Sequence, residues 1–344
     1  MKTLIMAAVL GSGLLAQTAQ QPSVSNSRFE VRPGSPVLSS ALQATEATWF
    51  GYAIKTMRGD HDNCCFENGQ RGGCSLEESG VRISREGRPS RPVQLEGSDT
   101  AAVLYRIENN QVGKVRVYSL ECPLDAGGRR FVWLTDVPAQ SSLEYLQGLA
   151  RTAPSTQVED GAVFAIAQHD NERVDDILEA LTRAGEPAKV REQAVFWLGA
   201  SRGAHGVEIL KSIVVQDGSD ALREKAVFAL SIGKQPEGTD VLLDVAKHNR
   251  SPHIRGQALF WLAQKAGAKA TAALQNAIAN DPDTGVKKQA VFALSQLPKD
   301  EGVPKLIEIS RTQRNPEVRK QAFFWLGQSN DARALAFFEQ ILLK

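Results

Sequence analysis

Four cysteines and one acidic, histidine-bearing loop are the residues of this chain best suited to chemistry. Cys64, Cys65, Cys74 and Cys122 are the whole cysteine complement of 344 residues, and all lie in the N-terminal third or just beyond it. Asp60, His61 and Asp62 stand just ahead of the vicinal pair. Thiolate, imidazole and carboxylate are all metal ligands, so a metal centre is one chemistry this loop would support. No second histidine or spaced cysteine pair completes a ligand set, however; His169, His205, His248 and His253 are scattered along the chain. Disulfides are the other chemistry, favoured by an even count confined to one region of an exported chain. A bond between the neighbours Cys64 and Cys65 would be geometrically strained. The remaining pairings join those two separately to Cys74 and Cys122, and the sequence leaves the choice open. Either would tie the loop 58–78 onto the strand ending near Cys122.

Export itself is read from the N-terminus. Lys2 precedes an apolar run at residues 4–16, and Ala16 and Ala19 offer small residues for cleavage. Residues 1–19 are therefore expected to be a signal peptide. The run is shorter than the roughly 20 residues a spanning helix needs, so no stable membrane insertion is expected. The mature protein would be periplasmic or secreted. A formal net charge of +1 gives no electrostatic reason to expect nucleic acid as a partner. No G-x-S-x-G, P-loop or H-E-x-x-H pattern occurs, and no catalytic residue, metal ligand or cofactor is assigned.

Several elements must position these residues. Residues 20–44, rich in Ser, Pro, Gln and Asn, read as a flexible lead-in. Residues 45–138 read as a small β-rich domain. Within it the aromatic stretch TWFGYAIK predicts a strand over residues 48–55, and apolar runs over 100–107 and 112–119 flank Glu108, Asn109 and Asn110 as a hairpin. RRFVWL at 129–134 predicts a further strand. Three- and four-residue spacing of Leu143, Leu146, Leu149 and Ala150 predicts a connecting helix over 139–153.

A repeat follows. VEDGAVFAIA, VREQAVFWLG, LREKAVFALS, IRGQALFWLA, VKKQAVFALS and VRKQAFFWLG begin at Val158, Val190, Leu222, Ile254, Val286 and Val318, each 32 residues after the last. Six in-register copies define a solenoid of helix pairs. First helices begin near Pro154, Pro187, Pro252, Pro282 and Pro316, with Ser219 and Asp220 serving the third unit. Second helices carry Ile177 and Leu178, Ile209 and Leu210, Val241 and Leu242, or Phe337 and Phe338. Neither stripe is buried unless neighbouring repeats stack.

The array resembles the HEAT-repeat family, in particular the short HEAT-like repeats of phycobilisome lyases, over residues 154–344. The resemblance rests on a V-R-x-Q-A-x-x-x-L theme, from which the first unit departs at Glu159 and Gly161. HEAT arrays often carry an Asp and an Arg six residues apart that link successive units. Asp217 precedes Arg223 and Asp281 precedes Lys287 by that interval, while Asn249 stands before Arg255. The resemblance implies an α/α solenoid in which the column Arg191, Arg223, Arg255 and Arg319 is scaffold. HEAT-repeat hydroxylases hold iron through His-Glu pairs, and this sequence has no His-Glu dipeptide. Tetrapyrrole handling of the lyase kind rests on family analogy alone.

Two columns of the repeat invite a functional reading. Ala165, Trp197, Ala229, Trp261, Ala293 and Trp325 alternate small and large, as interdigitating core layers do. One position earlier stand Phe164, Phe196, Phe228, Phe260, Phe292 and Phe324, which the helical wheel turns away from the core toward Gly256, Gln257 and Gln264. Such a column either fills gaps between repeats or forms an apolar binding strip. The chain closes on an apolar stretch around Phe337, Phe338, Ile341, Leu342 and Leu343, which makes self-association through that end a further expectation.

The expected whole is mainly α: a HEAT-like solenoid of six helix pairs after a small β-rich, disulfide-bonded domain. The expected function is an exported, non-enzymatic scaffold binding a protein or peptide through Phe196, Phe228, Phe260, Phe292 and Phe324. The alternatives are an enzyme or small-molecule binder using the β-rich domain, or a tetrapyrrole-handling protein.

Overall fold

The computed structural model describes residues 21–57, 63–67, 70–77, 99–153 and 155–343. The N-terminal run and the loop holding Asp60, His61 and Asp62 lie outside the described residues. The chain divides into two compact units: Met1–Gln111 with Tyr118–Pro138, and Val112–Val117 with Ala139–Lys344.

The first unit is built on strands β1 (Val24–Ser25), β2 (Arg28–Pro33), β3 (Thr48–Lys55), β4 (Cys65–Glu67), β5 (Gln70–Gly72), β6 (Cys74–Ser75), β7 (Thr100–Glu108), β8 (Gln111–Ser119), β9 (Leu124–Asp125) and β10 (Arg130–Thr135), with a short helix α1 (Leu38–Ala41). Its main sheet has the order β2-β10-β3-β7-β8, and a smaller one the order β1-β9-β6. Strand β10 runs parallel to both β2 and β3, while β3 and β7 are antiparallel. The turn between β7 and β8 is made by Asn109 and Asn110, both at positive φ (51° and 58°). A two-residue hairpin turn that matches strand twist requires this of both residues, and Asn tolerates it. The middle residues of the central strands are buried on both faces: Trp49, Leu104, Phe131 and Trp133 form the core with Cys74, Cys122 and Leu124. Gly51 is needed there, because a Cβ would sit 2.5 Å from the Leu104 side chain and 3.1 Å from Trp133.

Two results sharpen the sequence reading. The cysteines pair as Cys64–Cys122 and Cys65–Cys74, and none of those described is free. The segment expected to be a flexible lead-in instead contributes β1 and β2. Glu30 accepts two hydrogen bonds from Arg130 at 2.9 Å, and Phe29 stacks on Phe131 at 5.6 Å. Its partner strand lies a hundred residues downstream, and local composition carries no trace of so distant a pairing.

The second unit opens with α2 (Ala139–Thr152) and continues as six helix pairs: α3 (Thr156–Gln168) and α4 (Arg173–Thr182); α5 (Ala188–Ser201) and α6 (Gly203–Gln216); α7 (Asp220–Ile232) and α8 (Pro236–His248); α9 (Pro252–Ala266) and α10 (Ala268–Asn280); α11 (Thr284–Ser295) and α12 (Lys299–Thr312); α13 (Pro316–Gln328) and α14 (Ala332–Leu342). Five of the six first helices start where the sequence supplies a capping side chain, and α5 follows Pro187 without one. Ser155, Ser219, Ser251, Asp283 and Asn315 each accept a hydrogen bond from a backbone N–H in the first turn, satisfying a donor that would otherwise be orphaned.

The packing code is the fifth residue of each repeat. Ala162, Ala194, Ala226, Ala258, Ala290 and Ala322 are all completely buried, and a methyl group at each unit lets neighbouring first helices approach closely. Second helices of successive units touch more sparsely, so the layer of first helices is the tighter, inner one. Gly161, the first unit's departure from the repeat, has its own cause within this unit. A Cβ there would meet the Val115 carbonyl at 2.7 Å, so no Gln or Lys fits.

Candidate functional site: an aromatic ladder on the first helices

The alternating column departs from expectation. Ala165, Ala229 and Ala293 are fully buried, but Trp197, Trp261 and Trp325 are only half-buried. They do not fill the core. The position lies on the flank of the helix, where an indole turns sideways onto the next unit instead of inward. Each Trp packs on the Phe of the preceding unit: Phe164–Trp197 at 4.8 Å between centroids, Phe228–Trp261 at 4.8 Å and Phe292–Trp325 at 4.9 Å. Each also meets the Phe beside it edge-on, at 4.9 Å for Phe196, 5.0 Å for Phe260 and 4.9 Å for Phe324. Phe196–Phe228 (6.4 Å) and Phe260–Phe292 (5.8 Å) close the remaining gaps.

The two columns are therefore one continuous ladder of rings from Phe164 to Phe324. The rings bridge repeats, and they keep a face in the open: Phe164, Phe196, Phe228, Phe260 and Phe292 are half-buried, while Phe324 is 54% exposed. The Trp occurs in every second unit, so the ladder's true period is two repeats. The indole N–H groups of Trp197 and Trp325 are buried without a hydrogen-bond partner, an unusual state for a buried donor.

Beside the rings runs a column that sequence reasoning used only as repeat signature. Gln193, Gln257, Gln289 and Gln321 sit three residues before the ladder Phe of their units, on the same helix face. All four are half-buried, and none of their amides bonds to a described residue. Gln289 is also pressed against Gly256 of the preceding unit, where a Cβ would lie 3.2 Å from its Cγ. Ion pairs lie nearby. Glu192 lies between Lys189 (3.4 Å) and Lys225 (3.7 Å), and His253 meets Glu224 at 2.5 Å. The surface thus offers aromatic faces and amides that bond to no described residue.

A stability test separates the ladder's two roles. Phe260 touches Trp261 and Phe292, so Phe260→Ala is expected to cost about 1–3 kcal/mol. Phe324→Ala, at the exposed end, is expected to stay within about 0.5 kcal/mol. Urea denaturation of both variants checks this; equal losses would mean the ladder is uniformly structural.

Arg191 and Arg255 pair with an aspartate at the end of their own unit, and Arg191, Arg255 and Arg319 also donate to carbonyls at the end of the preceding unit, those of Thr182, Asn249 and Gln313. Asp217 pairs with Arg191 at 2.8 Å and Asp281 with Arg255 at 2.7 Å, so neither pairs with the basic residue six positions on. Burial alone pushes the Asp281 carboxyl up, but hydrogen bonds from Arg255 and the Asp283 amide outweigh it and hold it below the usual range. At the C-terminal end Phe337 is buried, stacked on Phe323 at 5.8 Å under the Arg311 guanidinium. Leu335, Ile341, Leu342 and Leu343 are exposed. Among the described residues no cluster of His, Cys, Asp and Glu could hold a metal ion, and no helix is long and apolar enough to cross a membrane.

The description "HEAT repeats" matches residues 174–263, 239–327 and 271–344. With the helix pairs above, this defines the second unit as a HEAT-repeat-like α-solenoid. Among solved structures, a chain of the CpcE–CpcF phycocyanin lyase complex from Nostoc is 15% identical, with a TM-score of 0.35 over 45% of this chain and 98% of that one. AlkD2 from Streptococcus mutans is 17% identical, with a TM-score of 0.40 over 56% of this chain and 100% of that one. The Cnd3–Cnd2 condensin subcomplex of S. pombe gives 19%, 0.35 and 56% of this chain, but only 27% of that one. At these identities the likeness is one of fold, and it lends no weight to lyase chemistry. The comparison with curated proteins returns no match.

Proposed function

We propose that the protein is an exported, non-enzymatic scaffold that binds an extended segment of a partner protein along the ladder of first helices. The observation that carries this reading is the pairing of half-open aromatic rings with four glutamine amides that bond to none of the described residues. An extended peptide presents both things such a strip would take: side chains to lie on rings and a main chain to hydrogen-bond. These amides still reach water, so a ligand would exchange water for main-chain hydrogen bonds there and gain register more than energy. Export rests on the apolar run after Lys2, and the two disulfides suit an oxidising compartment.

The test is photo-crosslinking in the native host, with benzoylphenylalanine placed at Phe324 on the ladder and at Glu208, an exposed site on α6. Capture of one protein from position 324 and not from 208 is expected.

A further inference from the structure

In the second and fourth units an arginine near the start of the first helix is met by an aspartate 26 residues on: Arg191 by Asp217, Arg255 by Asp281. The third unit keeps the arginine, Arg223, but has Asn249 in the aspartate's place. Asn249 still braces the turn. Its Oδ1 accepts from the Ser251 amide at 3.0 Å, as Asp217 does from Ser219 and Asp281 from Asp283. Its Nδ2, however, donates to the Val214 carbonyl at 3.2 Å, and it brings no charge to Arg223.

Arg223 is left incompletely satisfied. Nη2 donates to Asp220, and Nε is buried without a partner. The carbonyls that hold Arg255 (Asn249 and Arg250) and Arg319 (Gln313 and Arg314) have no counterpart here. Room lies alongside. Arg223 lines a cleft of about 400 Å³ between α6 and α8, with Val215, His248, Asn249 and Arg250. Val215 is 63% exposed, an apolar wall open to solvent. The Arg250 guanidinium bonds to no described residue. The cleft's own acid, Asp244, is engaged by His248 Nδ1 at 2.8 Å.

We propose that this cleft is a carboxylate-binding site, in which a carboxylate of a peptide ligand takes the place beside Arg223 that Asp217 and Asp281 fill in the neighbouring units. Two arginines and an apolar wall suit one carboxylate attached to an apolar stem, through charge-assisted hydrogen bonds. The site lies between second helices and is independent of the aromatic ladder.

Asn249→Asp is the direct test, because it replaces the external carboxylate with an internal one of the same shape. It is expected to raise the melting temperature of the full chain by about 2–4 °C, the shift that a gain of order 1 kcal/mol gives at this size. Calorimetric titrations at fixed ionic strength then use three short peptides. One is acetylated and amidated with a single Glu, one has Gln instead and a free C-terminus, and one has Gln and is amidated. At least one of the first two is expected to bind at least tenfold more tightly than the third, and which one does identifies the source of the carboxylate. That preference should vanish in Asn249→Asp and in Arg223→Gln. Peptides that bind alike whatever their charge, or a preference that survives in either variant, would overturn the site. Should Arg223→Gln fold poorly, the Asn249→Asp result decides.

Discussion

Asp281→Ala is expected to destabilise the helical array by about 3–5 kcal/mol, the usual cost of removing one partner from a buried pair. The Arg255 and Asp281 side chains are 9% and 6% exposed, and both carboxylate oxygens accept, at 2.7 and 2.9 Å. Truncating the acid leaves a guanidinium out of water with only the Asn249 and Arg250 carbonyls to hold it. The Arg191–Asp217 pair spans the same interval but has one hydrogen bond, with Arg191 Nε donating to the Thr182 carbonyl instead, and is 16% and 21% exposed. Water can solvate what remains there, so Asp217→Ala should cost less, about 1–2 kcal/mol. Chemical denaturation of the two variants side by side tests the ordering. An Asp281→Ala protein as stable as wild type would show that the pair merely offsets its own desolvation.

The second large effect is a loss of stability in mild acid. His169 is 2% exposed, between α2 and α3. Its Nδ1–H donates to the Ala165 carbonyl at 2.7 Å, which leaves Nε2 to accept from the Ser142 hydroxyl at 2.9 Å. Both bonds suit the neutral ring. Burial pushes its pKa down to about 4, against an ordinary value of 6.5. Below pH 6.5 the unfolded chain takes up a proton that the folded chain refuses until about pH 4, so stability falls as pH drops through that window and levels off beneath it. The full difference is roughly 3 kcal/mol. A His169→Gln variant should lose the histidine's share of the slope between pH 6.5 and 4, whatever its stability at pH 7. Identical slopes in the two proteins would place the pH dependence elsewhere.

The helical array was legible in the sequence because each repeat states its own packing. The invariant Ala162-to-Ala322 column and the 32-residue interval are local signals repeated through six units, and the Ser, Asp and Asn caps recur in five of them. Strands β3, β7, β8 and β10 were legible for the same reason, as β-prone runs with a recognisable Asn-Asn turn. What escaped was non-local. Strand β2 forms only because β10 arrives a hundred residues later. The acidic partners of Arg191 and Arg255 could not be read from a six-residue interval, because those pairings span 26 residues and return from the end of the second helix. The tryptophans were misplaced because a helical wheel shows only angle. Whether a flank position faces core or neighbour depends on how closely the next repeat approaches, and the buried alanines set that distance. The glutamines carried a signal that went unused: a polar residue repeated in register beside aromatics, replaced by Lys225 in the third unit.

That the ladder is the working surface is the central claim, and crosslinking from its rim tests it most directly. Benzoylphenylalanine at Phe324, whose ring is 54% exposed, should capture a single partner in the native host. The same probe at Phe260, in the middle of the strip, should capture the same protein through an adjacent part of its chain. Glu208 on the second-helix side should yield nothing at comparable levels. Capture from Glu208 with none from Phe324 or Phe260 would contradict the account and move the binding surface to the second helices.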